Sequence, residues 1–417
     1  MTAGRPQGQP RSLVVLGSTG SIGRQALEVV RADPQAFNVI GLAAGGGNPA
    51  LLREQVGEFR PAHVGLADAD ADLAGADWPG RLHLGPHAAE SVVRAARADV
   101  VLDAIAGFVG LDPALAALEA PCLLAMAGKE AIVAAGHLLL EAAQSGGGVI
   151  VPVDSEPCAM AQCLANAGPR GSLRRVYLTA SGGPFWSRPR ETLDGVSPAE
   201  AVRHPRWAMG PKISVDSATL FNKGLEAIEI SRLFRLPLEM IQIVVHPQSV
   251  VHALIELGDG SLLAQLGPTD MRVPISQALY HPGRAPEAAS RLRLPGLSIS
   301  FEEPDPERWP CLAAALAAGA LGGTMPAVVS AADEVLVREF LAERVSFGDI
   351  GRGIWAALGA YEARALEGGP EPSLGRVVEA DGWARTFAAR WAAGDRPPTV
   401  KPAGGGRSSG RPGEVDG

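Results

Sequence analysis

The chain has 417 residues, which is enough for two or three domains. Hydrophobic residues make up 47% and charged residues 20%, so a large core is available and a wholly disordered chain is excluded. The 45 acidic residues outnumber the 37 basic ones, and this net charge of −8 argues against a general nucleic-acid binder. The basic residues are almost all arginines. Because a compact ammonium group cannot always be replaced by a guanidinium, the few lysines mark places to search for a site: Lys129, Lys212, Lys223 and Lys401.

Membrane insertion, secretion and disulfide bonding are all disfavoured. No apolar run approaches the length of a membrane-spanning helix, and the polar residues 1–11 are unlike a signal peptide. The four cysteines are too few for a disulfide framework in a chain of this length. They predict buried thiols in a protein of the reducing cytoplasm.

The N-terminal third alternates short apolar strands with helices. After a Gly/Pro-rich tail at 1–11, which is predicted to be disordered, the strands between residues 12 and 153 read SLVVL, NVIGLAA, HVGLA, VVLDAI, CLLAMA and VIVPV. One intervening helix is predicted over 48–59, where Asn48 can cap and Pro49 suits the first helical position. This alternation predicts an α/β fold: a doubly wound, Rossmann-like parallel sheet in a dinucleotide-binding domain.

The pattern changes after residue 153. Residues 154–281 mix β-rich segments with Ser-, Gly- and His-rich loops, and the GDG between SVVHALIEL and SLLAQL predicts an antiparallel hairpin. This indicates a central α+β catalytic domain. A Pro-rich linker follows at 282–310, then an almost wholly helical domain at 311–394 and a second disordered tail at 395–417.

A glycine-rich turn joins the first strand to the first helix. Its sequence, GSTGSIG, begins at Gly17 and ends at Gly23, and glycines here let the backbone approach a pyrophosphate at the helix N-terminus. The alternative is a purely structural turn. The second strand runs into Gly45-Gly46-Gly47-Asn48 without the acid that would bind a ribose hydroxyl of NAD, which favours NADP.

Three carboxylates are candidates to hold a cation. In an extended chain Asp154 and Glu156 would point to the same side, and Glu226 follows shortly after Asn222 and Lys223 in a predicted helix. Oxygen-only ligands suit Mg²⁺ or Mn²⁺. The alternative is that Asp-Ser-Glu only caps a helix in which Pro157 occupies the first turn.

Two further stretches are candidates to bind a phosphorylated substrate. Hydroxyls, an amide and an ammonium occur in Ser181-Gly182-Gly183 and in the segment that includes Ser217, Asn222 and Lys223, although Ser-rich turns with a surface lysine would look the same. Between them, the Pro-bounded loop with His204, Trp207 and Gly210 is either a water-excluding lid or surface packing. A structural role is expected for His246 and His252.

Taken together, these motifs resemble one enzyme family. GSTGSIG, PVDSE, SGGPF, HPRWAMG, KISVDSAT, NKGLE, HPQSV and DGSLLAQLG–DMR occur here in the order typical of 1-deoxy-D-xylulose 5-phosphate reductoisomerases. The resemblance covers about 12–391. It implies an NADPH- and divalent-metal-dependent homodimer that makes 2-C-methyl-D-erythritol 4-phosphate from 1-deoxy-D-xylulose 5-phosphate, in isoprenoid precursor synthesis.

The resemblance also implies roles for individual residues. The metal ligands would be Asp154, Glu156 and Glu226. The substrate would be bound by Lys129, Ser155, Ser181, His204, Ser217, Asn222 and Lys223, with Trp207 in the flap above it. NADPH would contact Thr19, Gly20, Ser21, Ile22, Gly46, Gly47, Asn48, Gly128, Glu130 and Gly210. Lys212 is expected only to anchor the end of the flap.

Three positions depart from the family pattern. Pro157 replaces a histidine, Gly128 replaces an asparagine, and the glycine run replaces a basic residue after the second strand. These changes bear on efficiency and cofactor affinity more than on the reaction class. Two alternatives therefore stand beside the reductoisomerase: a diverged relative that reduces another phosphorylated keto sugar or semialdehyde, and a catalytically inactive nucleotide-binding or assembly protein.

Overall fold

A computed structural model of the chain describes residues 9–70, 78–168, 172–207, 209–287, 290–305, 307–365 and 369–396. Within these residues eleven strands form two sheets. The strands are β1 Arg11–Leu16, β2 Phe37–Ala44, β3 His63–Leu66, β4 Arg81–Leu84, β5 Val100–Asp103, β6 Leu123–Met126, β7 Val149–Pro152, β8 Leu173–Ala180, β9 Ile241–Val245, β10 Val251–Leu257 and β11 Leu262–Leu266. Most of the two predicted tails, and Lys401 with them, lie outside the described residues.

Fourteen α-helices accompany the strands in the described part of the chain. They are α1 Ser21–Ala32, α2 Pro49–Phe59, α3 Ala88–Ala96, α4 Leu111–Leu118, α5 Lys129–Gly146, α6 Ser155–Leu164, α7 Pro198–Ala201, α8 Pro211–Ala218, α9 Phe221–Phe234, α10 Arg272–Leu279, α11 Pro310–Leu321, α12 Met325–Leu341, α13 Phe347–Ala365 and α14 Leu374–Ala392. None of them combines the length and the hydropathy that crossing a membrane would require.

The first seven strands form one parallel sheet in the order β4-β3-β2-β1-β5-β6-β7. The inner strands are buried on both faces; Leu13, Val15 and Leu102 pack on one side, and Val14 and Leu16 on the other. Such two-sided burial explains why these strands read as continuous apolar runs. The expected doubly wound α/β fold is therefore confirmed, with β4 as an additional edge strand whose alternating Arg-Leu-His-Leu sequence the prediction missed.

The second sheet has four strands in the order β11-β10-β8-β9. The β10–β11 hairpin is antiparallel, as predicted, whereas β8 and β9 pair in parallel. One face of this sheet packs against α6 and α9 through residues such as Val176, Leu178 and Ile255. In this packing α6 contacts mainly β10, and α9 contacts β8 and β9.

Four helices, α11 to α14, follow the long linker and give the helical C-terminal region that the sequence predicts. Their buried residues share a core with the second sheet, and α12 also contacts α5 and α8. The linker is tied down by Arg308, which donates hydrogen bonds to the carbonyls of Phe185 (2.8 Å) and Trp186 (2.6 Å). The helix α10, by contrast, packs on α1 of the first sheet's layer through Ile275 and Leu279.

Candidate active site

The glycine-rich turn brings the N-terminus of α1 to the carboxyl end of the parallel sheet. Gly17 has φ +70°, and Gly20 is the N-cap of α1. A Cβ at Gly23 would lie 2.3 Å from the Gly17 carbonyl oxygen, so the turn and the helix can touch only if this residue is glycine. Ser21 and Ile22 then face a central cleft, and this arrangement is typical of a pyrophosphate site.

The end of β2 carries a second group of residues predicted to contact the dinucleotide. Gly46 has φ +113° and its Cα lies against Asp68, which follows β3. The side chain of Asn48 accepts a hydrogen bond from Leu51 N at 3.1 Å and so caps α2, as the sequence predicts. These residues lie away from the central cleft, where only the adenosine half of a dinucleotide would reach them.

The Asp-Ser-Glu motif is helical, and the expected extended geometry is wrong. Asp154 is the N-cap of α6, and Glu156 and Pro157 lie in its first turn. Proline fits there because the first helical amides have no partner within the helix. Capping the helix and offering carboxylate oxygens to a cation are therefore compatible roles for these residues.

The third carboxylate reaches the same point from α9. Leu220 adopts a left-handed conformation with φ +57°, and this abrupt turn separates α8 from α9. It places Asn222 and Lys223 in the first turn of α9, with Glu226 one turn further on. One oxygen from each of Asp154, Glu156 and Glu226 lies within 4.8 Å of the others, a spacing that a single cation can bridge.

Two lysines lie among these carboxylates. Lys129 Nζ is 2.8 Å from Asn222 Oδ1 and 3.0 Å from Glu226 Oε1, and it also contacts Asp154. Lys223 Nζ is 2.6 Å from Glu156 Oε1 and also contacts Glu226. Both ammonium groups are thus within reach of any ligand that the carboxylates hold.

Burial and neighbouring charges have opposite effects on the pKa values in this cluster. Burial opposes the charge on Lys129, but Asp154 and Glu226 outweigh it and raise its pKa well above the ordinary value. Burial would likewise raise the pKa of Glu226, yet Lys129 and Lys223 together hold it below its usual range. Behind the cluster, burial raises the pKa of Glu229, and both of its carboxylate oxygens lack a hydrogen-bond partner among the described residues.

Ser181 to Gly183 form a cradle at the end of β8. Gly182 and Gly183 have φ +83° and +66°, and a Cβ on Gly183 would lie 2.7 Å from the carbonyl oxygen of Ser217. The Ser181 hydroxyl oxygen accepts a hydrogen bond from Gly183 N at 3.2 Å. Only glycine permits this approach, and it brings the hydroxyl groups of Ser181 and Ser217 to one wall of the cleft.

His204 is neutral and its tautomer can be deduced. Its Nδ1 accepts hydrogen bonds from the amides of Arg206 (3.2 Å) and Trp207 (2.9 Å), so the ring proton resides on Nε2. Nε2 lies 2.8 Å from Ser181 Oγ. Burial and the charge of Lys223 lower the pKa of His204 to about 4. The ring therefore offers one N–H to the cradle and holds the start of the flap.

The flap closes the cleft on one side. It comprises residues 204–210, of which Ala208 lies outside the described residues. The Trp207 ring lies 6.3 Å from the ring of His252, centroid to centroid, and Gly210 begins α8. The purely structural role expected for His252 is incomplete: this residue lines the cleft, and burial together with Lys223 lowers its pKa to about 4. His246 also lines the cleft, and both of its ring nitrogens are hydrogen-bonded, to Ser300 O and Val250 N.

One cavity of about 180 Å³ brings most of these groups together. Its lining includes the predicted residues Ser21, Ile22, Lys129, Asp154, Ser155, Glu156, Ser181, His204, Trp207, Gly210, Ser217, Asn222, Lys223 and Glu226. Sequence reasoning missed Gln25, Thr179, Met209, Ile213, His246, Ser249, His252 and Met271, which also line it. Apart from the even spacing of His252 from His246, these residues carry no chemical motif.

The remaining predicted cofactor residues lie outside this cavity. Thr19 and Gly20 belong to the turn before α1, and Gly46, Gly47 and Asn48 lie near the start of α2. Gly128 is the N-cap of α5, and a Cβ there would lie 2.7 Å from the carbonyl oxygen of Ile105. The glycine that replaces the family's asparagine is thus required by this backbone. Glu130 turns away from the cavity towards Lys212, 3.9 Å away.

A nucleotide-binding sheet beside a carboxylate triad and a phosphate cradle defines a dinucleotide-dependent, metal-assisted oxidoreductase that acts on a small anionic substrate. Comparisons with known proteins specify the family. Residues 13–136 match the family model of 1-deoxy-D-xylulose 5-phosphate reductoisomerase, and 150–234 and 266–387 match models of reductoisomerase C-terminal domains.

Relatives and solved structures agree over nearly the whole chain. The reductoisomerase of Mycobacterium avium is 46% identical over 96% of this chain and 98% of its own, and that of Symbiobacterium thermophilum is 45% identical over 91% and 98%. Solved structures include the Zymomonas mobilis enzyme with NADPH (TM-score 0.83, 38% identity, 93% of this chain and 100% of that one). Another is a reductoisomerase with NADPH, fosmidomycin and magnesium (TM-score 0.87, 35% identity, 92% and 98%). The chain belongs to the 1-deoxy-D-xylulose 5-phosphate reductoisomerase family.

Proposed function

We propose that this cavity converts 1-deoxy-D-xylulose 5-phosphate to 2-C-methyl-D-erythritol 4-phosphate, with NADPH and Mg²⁺ or Mn²⁺. The observation that carries the proposal is the meeting of three carboxylates and a phosphate cradle in a cavity that the N-terminus of α1 also lines. Family membership supplies the reaction. We assign residues 12–153 to NADPH binding, 154–281 to metal and substrate, and 311–394 to the helical domain.

The metal site fits a hard divalent cation. Asp154, Glu156 and Glu226 offer only oxygen ligands, and their positions in α6 and α9 leave the cavity side open for substrate oxygens. A cation held there would polarise a carbonyl and a neighbouring hydroxyl of the substrate as a Lewis acid. The ammonium groups of Lys129 and Lys223, which contact Asp154 and Glu156, offset part of the negative charge of the three carboxylates.

The substrate phosphate is assigned to the cradle. The hydroxyls of Ser181 and Ser217, the Nε2–H of His204 and the amide of Asn222 are all donors or can act as donors. Lys223 supplies the positive charge, and its ammonium group also contacts Glu156 and Glu226. It therefore bridges the phosphate and the metal ligands. Since Trp207 covers this end, flap closure would exclude water from the aldehyde formed before reduction.

The hydride donor is assigned to the cleft beside α1. NADPH supplies the hydride; its pyrophosphate would lie on the turn from Thr19 to Ile22, and its adenosine would extend towards Gly46, Gly47 and Asn48. Gly128 and the backbone of Glu130 at the start of α5, and Gly210 in the flap, are assigned to the nicotinamide end, since the Glu130 side chain faces Lys212.

A single assay tests substrate, cofactor and metal together. The purified chain is incubated with 1-deoxy-D-xylulose 5-phosphate, Mn²⁺ and NADPH, and loss of NADPH absorbance is followed. Turnover should stop when the metal is chelated and return when Mn²⁺ is added. No turnover of this substrate by a folded, metal-loaded chain, together with turnover of another phosphorylated keto sugar or semialdehyde, would favour the diverged relative instead.

We further propose that the enzyme is a cytoplasmic homodimer. The four cysteines are free and buried, in keeping with a reducing compartment.

The second sheet leaves one face bare: Leu254 pairs with Ala264 on it, and the neighbouring Leu262 and Leu266 are 56% and 40% exposed. Glu256 and Arg175 lie on the same face, so it combines exposed leucines with paired charges, and we assign it to contact with a second copy. Light scattering should give a dimer for the natural chain and a monomer for Leu266→Asp; an unchanged mass for the variant would place the interface elsewhere.

A further inference from the structure

A second ionic cluster lies outside the metal site and centres on Lys212. Its Nζ is 2.6 Å from Asp216 Oδ2, 3.0 Å from Asp333 Oδ2 and 3.9 Å from Glu130 Oε1. The two aspartates are almost completely buried, whereas the Lys212 side chain is 29% exposed. One ammonium group therefore serves three carboxylates.

The four residues come from three separately packed elements. Lys212 and Asp216 lie one turn apart in α8, whose N-cap Gly210 is also the last residue of the flap. Asp333 belongs to α12 of the helical region, and Glu130 to the first turn of α5. Lys212 thus connects the C-terminal end of the flap to both other parts of the molecule.

The cluster has a direct connection to the metal site. Glu130 follows Lys129, and in the first turn of α5 their side chains point in different directions. Lys129 contacts Asp154 and Glu226, whereas Glu130 faces Lys212. Lys212 thus contacts the same helix turn that presents Lys129 to the carboxylates of Asp154 and Glu226.

The charges hold the cluster in one arrangement. Burial raises the pKa of both aspartates, and the neighbouring Asp216 raises that of Asp333 further. Burial opposes the charge of Lys212, but Asp216 and Asp333 outweigh it and keep the ammonium protonated. In a chain with so few lysines, a compact cation with three N–H groups has been kept where three carboxylates converge.

We propose that Lys212 is a positioning residue for the reaction: held by Asp216, Asp333 and Glu130, it fixes the end of the flap and the first turn of α5 in the arrangement that binds substrate and NADPH. This inference rests on the proposed function for its kinetic consequence only. The structural consequence, an immobilised flap end, can be tested without turnover.

The variants are K212M, K212R and D333N, with R385M as the matched control. Arg385 is 31% exposed and is held by two carboxylates, Asp381 and Glu334, within the helical region and away from the flap. D333N keeps the shape of the side chain and the Lys212–Asp216 pair, so it remains informative if K212M does not fold. Circular dichroism and thermal unfolding establish which variants are folded.

Limited trypsin digestion measures the flap directly, because Arg203 and Arg206 provide cleavage sites at its start. Relative to the natural chain, mass spectrometry should show cleavage at these two sites about tenfold faster in K212M and severalfold faster in D333N. The rate in K212R should lie between those of K212M and the natural chain, and the rate in R385M should be unchanged. NADPH fluorescence titration should show about tenfold weaker binding to K212M. In the steady state, KM for the sugar phosphate should rise about tenfold while kcat falls less.

The outcomes separate the two proposals. Faster flap cleavage and weaker NADPH binding in K212M support the positioning role even if the natural chain does not turn over 1-deoxy-D-xylulose 5-phosphate, in which case only the proposed function fails. The positioning role would be overturned if K212M and D333N fold and their flap cleavage rate and NADPH affinity equal those of R385M. A loss of thermal stability without a change in either measurement would likewise reduce Lys212 to a structural ion pair.

Discussion

Asp103 gives the sharpest quantitative prediction, because it is a buried acid whose ionisation destabilises the folded chain. It ends β5, is fully buried, and accepts one hydrogen bond, from Ile105 N at 3.0 Å to Oδ1. Its other oxygen, Oδ2, has no hydrogen-bond partner within the described residues. Burial, aided by Glu130 and opposed by the Ile105 amide, raises its pKa from 3.8 to about 7. The change to test is Asp103→Asn, which keeps the acceptor oxygen and removes the charge.

The sign and the size follow from linkage. Because the pKa of Asp103 is higher in the folded chain than in the unfolded chain, its destabilising effect is absent below the unfolded pKa and grows as the pH rises towards the folded pKa. Above about pH 7, ionisation of Asp103 destabilises the folded chain by at most about 4 kcal/mol, whereas at about pH 5 the destabilisation is about 1.5 kcal/mol. The free energy of unfolding of Asp103→Asn, relative to the natural chain, should therefore increase by about 2–3 kcal/mol between those conditions.

Urea unfolding followed by circular dichroism at about pH 5 and about pH 8 measures this difference. Asp112→Asn on the exposed side of α4 is the matched control, since it removes the same charge from solvent and should change stability by less than about 0.5 kcal/mol at either pH. If the difference in free energy of unfolding between Asp103→Asn and the natural chain is the same at both pH values, the pKa of Asp103 is not raised by burial.

Three substitutions test the site itself. Glu226→Gln should lower kcat by at least about a thousandfold with an unchanged circular dichroism spectrum, because a charged carboxylate ligand becomes a neutral amide. Substantial activity of this variant at saturating Mn²⁺ would contradict the ligand assignment. His204→Asn should raise KM for the sugar phosphate about tenfold through loss of one donor to the cradle, and an unchanged KM would exclude that contact. Gly183→Ala should lower thermal stability by about 1–3 kcal/mol, because its Cβ would meet the Ser217 carbonyl oxygen. Gly260→Ala, which has positive φ but open space around its Cβ, should cost less, and equal losses would refute the steric argument.

Much of the fold was predictable because it depends on local patterns. Six of the seven strands of the parallel sheet follow from apolar runs, since both faces of that sheet are buried. The hairpin of β10 and β11 follows from alternation and a Gly-Asp-Gly turn. The edge strand β4 escaped because its partly exposed side chains carry no apolar run.

The candidate site was predictable to the extent that its chemistry occurs in short motifs. Ser181, Asn222 and Lys223 line the cavity, as the motif order implied. The geometry of Asp-Ser-Glu was not predictable, because a residue triplet can be read as a strand end or as a helix cap until the following helix is packed. His252 escaped because an apolar strand with a single histidine looks the same whether it faces a core or a cavity.

The sequence by itself determined the family and the parallel sheet, and it marked the carboxylates and hydroxyls proposed to bind metal and phosphate, because these depend on motifs whose spacing is local. Only the tertiary structure decided how the groups combine. Lys129 and Glu226 are almost a hundred positions apart, yet their side chains lie 3.0 Å from each other. Lys212 and Asp333 meet in the same way across α8 and α12. Such pairs form only when separate elements pack against each other, and no local pattern records which elements those are.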